Sequence, residues 1–187
     1  GICVQSVLGQ LVDCVLHARA GPYIEEADLR APVQCGFRQG YGTLDALFVM
    51  QHLVTKHRFI KKVLYVCYVD FQKAFDMVRR EEVLAWAQQL GMTGPFLQAL
   101  EKWLANSLLS VSINGQQGDA FPTHRGTKQG GRLSPLLFGL FVEQLHELLQ
   151  QQMPGAGPMV GGMRVPDILY ADDVKLLTNR QEHVQQL

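Results

Sequence analysis

Three aspartates lie where apolar segments end, and their spacing points to metal chemistry. Asp70 directly follows the apolar run VLYVCYV at 63–69, and Asp172 and Asp173 lie between the apolar segments DILYA and VKLL. Adjacent carboxylates repel each other and lose hydration when the strands around them pack, and a divalent cation relieves both costs. Magnesium prefers oxygen ligands, including few carboxylates, and leaves positions for substrate phosphates. The pattern therefore predicts a magnesium site if the strands bring Asp70 close to the pair.

Each acidic position also has a simpler interpretation. A lone aspartate such as Asp70 is more often an N-cap for the segment that follows it. An Asp-Asp pair between strands is often a solvated β-turn. The combination favours the metal site, because both acidic positions terminate apolar strands that could be neighbours in one sheet.

The strands that must position these acids can be read from the apolar pattern. The run at 63–69 is apolar on both faces and rich in Val and Tyr, which predicts a central strand buried on both sides. Segments 160–165, 167–171 and 174–177 also read as strands, and the last two flank the acidic pair. Segment 108–114 alternates as a strand and is followed by Asn114-Gly115, the signature of a hairpin turn.

Helices account for most of the remaining chain. Apolar periodicity and end signals predict helices at 4–20 (ending near Gly21-Pro22), 44–57, 81–90, 95–106 and 134–151. The glycine-rich stretch CGFRQGYG at 35–42 predicts a loop. These elements predict an α/β (α+β) fold, in which helices pack on one face of an antiparallel sheet.

Composition limits the classes of protein that fit. The 187 residues are 47% hydrophobic and 18% charged, which is typical of a globular protein. No apolar run approaches the roughly 20 residues that span a bilayer, and no secretory signal is visible, so we expect no membrane partner. The 17 basic and 17 acidic residues argue mildly against a complete nucleic-acid-binding protein. The four cysteines, at positions 3, 14, 35 and 67, lack paired spacing, so we expect reduced thiols in an intracellular protein.

Three segments in order resemble the palm motifs of reverse transcriptases. YVDFQKAFD at 68–76 resembles the first motif, GTKQGGRLSPLLF at 126–138 the second, and YADD at 170–173 the third. QCGFRQGYGT at 34–43 is similar to a segment upstream of the palm in non-LTR retrotransposon enzymes. The resemblance covers nearly the whole chain. It implies a partial, mostly helical fingers region at 1–62 and a palm region at 63–187, in one reverse transcriptase domain truncated at both ends.

This resemblance also implies a mechanism. An RNA-directed DNA polymerase transfers deoxynucleotides from dNTPs to a DNA primer 3′-hydroxyl on an RNA template, with two metal ions about 3.5–4 Å apart. Asp70 and Asp172 would be the main ligands of two Mg²⁺ ions, with Mn²⁺ as an alternative ion. Asp173 would assist beside the primer end, and the backbone carbonyl of Phe71 would be a further ligand.

The resemblance assigns roles at the nucleotide as well. The backbone amides of Lys73 and Ala74 would lie near the triphosphate, and Phe75 would block a ribose 2′-hydroxyl. Gln129 and Gly130 would contact the nucleotide. From the residues alone, Phe75 could equally be a core phenylalanine, and QGG a flexible loop before a helix. The candidates for template or phosphate contacts are Arg125, Lys128 and Arg132.

The chain departs from the family pattern in the second motif. Gly131-Arg132 stands where the family commonly has a residue followed by proline, so we expect a less stiff loop with added charge. This could alter fidelity or template choice, or mark decay of a retrotransposon copy. The triphosphate-binding arginine of the fingers would be expected before Gly1 and the thumb after Leu187. We therefore predict that the isolated chain binds primer-template weakly and has little or no activity.

Two other functions fit the sequence. One is a catalytically idle reverse-transcriptase remnant that acts as a nucleic-acid-binding or structural module. The other is a group II intron or retron-type reverse transcriptase. An RNA-dependent RNA polymerase is disfavoured by Phe75. A eukaryotic retrotransposon enzyme would act in the nucleus or cytoplasm, and the sequence leaves the oligomeric state open.

Overall fold

The computed structural model describes residues 4–105, 107–128 and 130–184. Its helices are α1 (Val7–Glu26), α2 (Thr43–Phe59), α3 (Ala74–Met77), α4 (Arg80–Gln89), α5 (Gly94–Ala105), α6 (Leu133–Gln152) and α7 (Gln181–Val184). Its strands are β1 (Tyr65–Val69), β2 (Leu108–Leu109), β3 (Ser112–Ile113), β4 (Gln116–Gln117), β5 (Phe121–Pro122), β6 (Met159–Val160), β7 (Met163–Arg164), β8 (Asp167–Tyr170) and β9 (Asp173–Thr178). Helices and antiparallel strands together confirm the predicted α/β (α+β) class.

The chain divides into two compact units, and each is formed by two separate stretches. The first unit comprises Gly1–Leu29 and Lys73–Phe141, and the second comprises Arg30–Gln72 and Val142–Leu187. The division into a fingers region at 1–62 and a palm region at 63–187 stays a prediction.

The second unit is built on an antiparallel sheet with the order β1-β9-β8. Strands β8 and β9 form a hairpin, and α2 packs on β8. The apolar side chains behind the sheet form one core whose buried members are Cys35, Ala46, Leu53, Val165, Ile168 and Leu177. This core fixes the strands that end at the acidic residues.

The prediction that the run at 63–69 is a central strand buried on both sides is wrong. Strand β1 lies at the edge of the sheet, and Cys67 and Tyr68 on it are exposed. Val, Tyr and Cys suit any pleated surface, so an apolar run does not distinguish an edge strand from a central one.

The predicted end of the first helix near Gly21-Pro22 is also wrong. Helix α1 continues to Glu26 with Pro22 inside it. Ala20 and Ile24, on either side of Pro22, are both buried, and the Tyr23 hydroxyl donates a hydrogen bond to the Leu90 carbonyl at 2.9 Å. Tertiary packing therefore outweighs the helix-breaking tendency of proline here. At the other end, the Ser6 hydroxyl accepts a hydrogen bond from the Gly9 amide and caps the helix.

Two predicted strands are divided by turns. Segment 160–165 holds β7 and the last residue of β6, which pair across Gly161-Gly162. Segment 108–114 holds the separate strands β2 and β3, and β2 pairs with β5. The hairpin turn at Asn114-Gly115 is confirmed, because it joins β3 to β4 with φ values of 52° and 79°.

The other helix predictions agree with α2, α4, α5 and α6 to within one or two residues, although the predicted end of α5 at Asn106 lies outside the described residues. Three cysteines, Cys14, Cys35 and Cys67, are free thiols. Cys3 lies outside the residues that the structure describes. Among the described helices, none combines the length and apolar character needed to cross a bilayer.

Candidate active site

The turn at 170–173, called the acidic turn below, lies beside the end of β1. Tyr170 pairs with Asp173, so Ala171 and Asp172 form its tip, and Ala171 has a φ of 56°. On the other side of β9, Val69 pairs with Val174. Asp70 directly follows Val69 and Asp173 directly precedes Val174, so both residues lie at the same end of the β1–β9 pair. The backbones of the three aspartates therefore lie at one end of the sheet, and the predicted convergence of their carboxylates on metal ions stays a prediction.

These carboxylates carry charge that no described side chain neutralises. Asp70 and Asp173 are exposed and Asp172 is half-buried, and none of the three has a hydrogen-bond or ion-pair partner among residues 4–105, 107–128 and 130–184. Within the same ranges, no three His, Cys, Asp or Glu side chains are grouped around one metal position. By their chemistry, unpaired carboxylate oxygens suit a divalent cation such as magnesium, and the role of these three residues as ligands stays a prediction. Phe71 follows Asp70 and is exposed.

The free edge of β8 is occupied by the segment that precedes Phe37. Gln34 forms a parallel bridge with Leu169, the Cys35 amide donates to the Leu169 carbonyl at 2.9 Å, and the Leu169 amide donates to the Val33 carbonyl at 3.0 Å. Gly36 is buried against the acidic turn. The glycine-rich stretch was predicted as a loop, and its role as a fourth, bridge-like neighbour of the sheet was missed.

Two buried polar pairs join α6 to the segments around this site. The Arg30 Nε donates to the Glu143 Oε1 at 2.6 Å, and both side chains are buried. Desolvation is the largest influence on the pKa of Glu143 and raises it, although Arg30 opposes that shift. Sequence reasoning missed this pair, and the detectable signal was a carboxylate inside an apolar helix.

The second pair is His146 with Asp167, the first residue of β8. The His146 Nδ1 lies 2.7 Å from the Asp167 Oδ1, and Asp167 is fully buried. Burial by itself lowers the pKa of His146, but the hydrogen bond and charge of Asp167, with the charges of Glu147 and Glu143, raise it on balance. This pair ties α6 to the strand that leads into the acidic turn.

In the first unit, Phe75 packs on the start of α6. Its ring stacks on Phe138 with centroids 4.5 Å apart, and its side chain is half-buried. Lys73 is exposed with a φ of 53° and precedes α3, which begins at Ala74. The stack supports a packing role for Phe75, and a sugar-excluding role stays a prediction.

The loop at 123–132, called the second-motif loop below, is held by Arg80. The guanidinium donates to the carbonyls of Gly126 at 2.8 Å, Thr123 at 2.5 Å and Arg125 at 2.9 Å, and to the Thr123 hydroxyl at 2.9 Å. Burial lowers the pKa of Arg80. The Thr127 amide also donates to the Phe75 carbonyl at 3.0 Å, so the loop and α3 are fixed together. Sequence reasoning did not single out Arg80.

Asp13 of α1 anchors the other end of this loop. Its carboxylate is fully buried, and its Oδ2 accepts a hydrogen bond from the Leu133 amide, at the start of α6, at 3.1 Å. A Cβ at Gly131 would overlap the Asp13 Oδ1 and lie 2.6 Å from Oδ2. The missing side chain at position 131 therefore makes room for a carboxylate that caps α6. The predicted loosening of this loop stays a prediction, but Gly131 has a packing reason.

The remaining candidates in the first unit differ in exposure. Lys128 is half-buried, and its Nζ lies 4.7 Å from the centre of the Trp103 ring. Burial and the charge of Arg80 lower the pKa of Lys128, while the charge of Asp13 acts to raise it. Gly130 is exposed with a φ of 93°. Arg125 and Arg132 are exposed, so they are the basic candidates most open to a bound nucleic acid. Gln129 lies outside the described residues.

Comparison with known proteins identifies the family. Residues 2–187 match the family described as reverse transcriptase (RNA-dependent DNA polymerase), and the chain belongs to it. Reverse transcriptases generally use divalent metal ions. The predicted membership is confirmed, and the retrotransposon relatives agree with the predicted type.

Those relatives are much longer than this chain. A Pol polyprotein from the type-1 retrotransposable element R2 of Popillia japonica is 30% identical over 177 residues, covering 94% of this chain and 24% of that protein. The probable RNA-directed DNA polymerase from transposon BS of Drosophila melanogaster is 26% identical over 180 residues, covering 94% of this chain and 19% of that protein. The chain thus spans less than a quarter of the length of these relatives.

Solved structures share the fold. Telomerase from Candida tropicalis in complex with a fragment of telomeric RNA superposes with a TM-score of 0.65 at 11% identity, over 96% of this chain and 30% of that one. The apo enzyme truncated from its C-terminal domain gives 0.61 at 11% identity, over 94% and 35%. At this identity the likeness establishes the fold alone.

Proposed function

We propose that this chain is part of the catalytic domain of an RNA-directed DNA polymerase from a non-LTR retrotransposon. Its reaction would be the transfer of deoxynucleotides from dNTPs to a DNA primer on an RNA template. The observation that carries the proposal is the register of β1 and β9 in a chain of the reverse transcriptase family. Val69 pairs with Val174, so Asp70 follows β1 at the end of the sheet where the turn with Asp172 and Asp173 lies.

The three aspartates would hold two divalent cations, Mg²⁺ or alternatively Mn²⁺. Asp70 and Asp172 are the proposed main ligands, and Asp173 and the Phe71 carbonyl are the proposed additional ones. When bound, the ions would lower the pKa of the primer 3′-hydroxyl and stabilise charge on the triphosphate and leaving pyrophosphate. Two of the three carboxylates are exposed. Moving these between staggered rotamers therefore meets little steric resistance.

Further residues are proposed as nucleotide contacts. The amides of Lys73 and Ala74 are proposed to face the triphosphate, and Phe75 the sugar. Gln129 and Gly130 are proposed to contact the nucleotide from the second-motif loop. Arg125, Lys128 and Arg132 are the proposed contacts to template or phosphate. A groove of about 830 Å³ beside Arg125 and Lys128 supports this assignment.

The wider setting is also proposed. Residues 1–62 would belong to a fingers region and residues 63–187 to the palm. A eukaryotic retrotransposon enzyme of this kind would work inside the cell, in the nucleus or the cytoplasm.

The function is tested on a version of the chain extended at both ends. With Mg²⁺, it should incorporate dNTPs on a primed RNA template. Asp172→Asn should lower the rate by more than about 100-fold, since even residues that only support metal ligands change activity by about 10- to 100-fold. Primer extension measures both.

Asp119→Asn is the matched control, because Asp119 is exposed and lies outside the proposed site. Its rate should equal that of the unmodified protein. A folded, extended protein that incorporates no dNTPs would establish the idle-remnant alternative instead.

A second test separates the two roles of Phe75. Phe75→Ala should destabilise the protein by about 2 kcal/mol, since it removes a half-buried ring stacked on Phe138. If Phe75 also excludes the 2′-hydroxyl, the preference for dNTPs over rNTPs should fall by about tenfold or more. Competing dNTP and rNTP incorporation gives the ratio. An unchanged ratio with lowered stability would leave Phe75 a packing residue only.

A further inference from the structure

The proposed function leaves the segment Val33–Gly36 without a role. This segment overlaps the start of QCGFRQGYGT at 34–43. It lies along the outer edge of β8, where its backbone exchanges two hydrogen bonds with Leu169, at 2.9 Å and 3.0 Å. Leu169 is two residues before the acidic turn's tip. The segment therefore extends the sheet at the place where that turn begins.

Within this segment, Gly36 touches the turn through its backbone. A Cβ built on Gly36 would overlap the Ala171 amide nitrogen and would lie 2.9 Å from the Ala171 Cα and 3.0 Å from the Tyr170 carbonyl carbon. These neighbours are backbone atoms, so no side-chain rotation could relieve the overlap. Any larger residue must displace either the segment or the turn.

Gln34 keeps Gly36 in this position. Its side chain is fully buried, and its Oε1 accepts a hydrogen bond from the Gly36 amide at 2.8 Å. A buried amide without this acceptor would lose its hydrogen bond, which opposes any shift of the segment. We call Gln34 and Gly36 together the brace. It consists of a buried side chain and of a glycine two residues later.

The turn itself needs external support. Ala171 has a φ of 56°, a conformation that non-glycine residues adopt at a cost and keep only when their surroundings enforce it. Gly36 contacts Ala171. The residue after Ala171 is Asp172, a proposed ligand of the divalent cations.

We propose that Gln34 and Gly36 are positioning residues, which hold the acidic turn in the conformation that presents Asp172 and Asp173 to divalent cations. This inference rests on the proposed function for its metal-binding consequence only. The mechanical part, that Gly36 holds the turn, can be measured without any metal.

The first measurement is hydrogen–deuterium exchange of the amides at 167–178, with no metal present. Gly36→Ala should accelerate exchange there by about tenfold or more, because the turn is pushed away from its support. Gly155→Ala is the matched control, since Gly155 lies in the same unit and has open space around its Cβ position. Equal exchange in Gly36→Ala and Gly155→Ala would overturn the brace.

The second measurement is Mn²⁺ binding followed by electron paramagnetic resonance. Gly36→Ala and the milder Gln34→Met should weaken binding by about 10- to 100-fold, as loss of a support to a metal ligand does. Both variants are compared at temperatures where circular dichroism shows them folded, and Gln34→Met decides the outcome if Gly36→Ala does not fold. Binding equal to that of Gly155→Ala would overturn the positioning role.

The two proposals fail in different ways. If the unmodified chain binds Mn²⁺ no better than Asp172→Asn does, the metal-site proposal fails. Hydrogen–deuterium exchange without metal then still tests whether Gly36 holds the acidic turn. If Asp172→Asn abolishes binding but Gln34 and Gly36 variants bind normally, the metal site stands and the positioning role is wrong.

Discussion

The acidic turn and the second-motif loop are fixed by different forces. Backbone pairing holds the acidic turn. Strand β8, which leads into the turn, pairs with β9 on one side and with the Val33–Gly36 segment on the other. Side chains from distant helices hold the second-motif loop, namely Arg80 of α4 and Asp13 of α1. Main-chain pairing depends little on which side chains are present. Apart from Gln34 and Gly36, we therefore expect substitutions around the acidic turn to be tolerated better than substitutions at Arg80 or Asp13.

The largest effect on stability should come from Arg80→Met. The change leaves three backbone carbonyls of the second-motif loop without their donor, so we expect a loss of about 3 kcal/mol in the free energy of unfolding. Urea denaturation measures it. Arg80→Lys should recover part of the loss, because an ammonium can satisfy some of these acceptors.

Arg79→Met is the neighbouring control. The Arg79 side chain is exposed and forms an ion pair with Glu82 at 2.8 Å, so the change should cost less than about 1 kcal/mol. If Arg79→Met and Arg80→Met have equal effects, then Arg80 does not hold the loop.

An intermediate effect is expected at Gly131. Gly131→Ala should destabilise the protein by about 2 kcal/mol, because its Cβ would collide with the Asp13 carboxylate. Asp13→Ala alone should cost about 1 kcal/mol through the lost cap of α6. In the double variant the collision is gone, so the total should be smaller than the sum.

Thermal or urea unfolding of all four proteins gives this coupling directly. Strict additivity would mean that Asp13 and Gly131 do not share space, and the packing explanation of Gly131 would be lost. Gly118→Ala is a suitable control in the same unit, because a Cβ there would have only ordinary contact, 3.5 Å from the Val111 carbonyl oxygen.

The smallest effect concerns the support of the acidic turn by His146. The pKa of His146 is raised in the folded chain, chiefly by Asp167 against the effect of burial. A raised pKa stabilises the fold fully below the unfolded value, about 6.5, and this contribution fades as the pH rises through the folded value. His146→Gln should therefore cost more stability at pH 5.5 than at pH 9.

His52→Gln serves as the comparison, since His52 is exposed on α2. Unfolding curves at the two pH values give the difference for each variant. A cost for His146→Gln that is equal at both pH values would show that the charge on His146 does not support β8.

The sequence predicted the acidic turn well for a physical reason. Apolar segments, a polar tip between two of them and a strand end at Asp70 are local signals, and together they indicate where the strands and the turn lie. The position of β1 at the sheet edge was not predictable in this way, because strand order depends on contacts between distant segments.

The supports of the second-motif loop were hidden for the same reason. Arg80 lies 46 residues from Gly126, and Asp13 lies 120 residues from Leu133. Neither residue belongs to a local pattern that marks its partner. The second motif offered one clue, Gly131, because a residue without a side chain leaves room for another group.

Main-chain pairing of the β8–β9 hairpin affects how the fold tolerates substitutions that accumulate without selection. Copies of a mobile element that no longer face selection accumulate random substitutions along their whole length. Most changes in β8 and β9 would preserve the ladder of backbone hydrogen bonds, whereas a single change at Arg80, Asp13 or Gly131 would disturb the loop. In such copies, the second-motif loop and its proposed nucleotide contacts should therefore be disturbed before the hairpin that carries Asp172 and Asp173 unfolds.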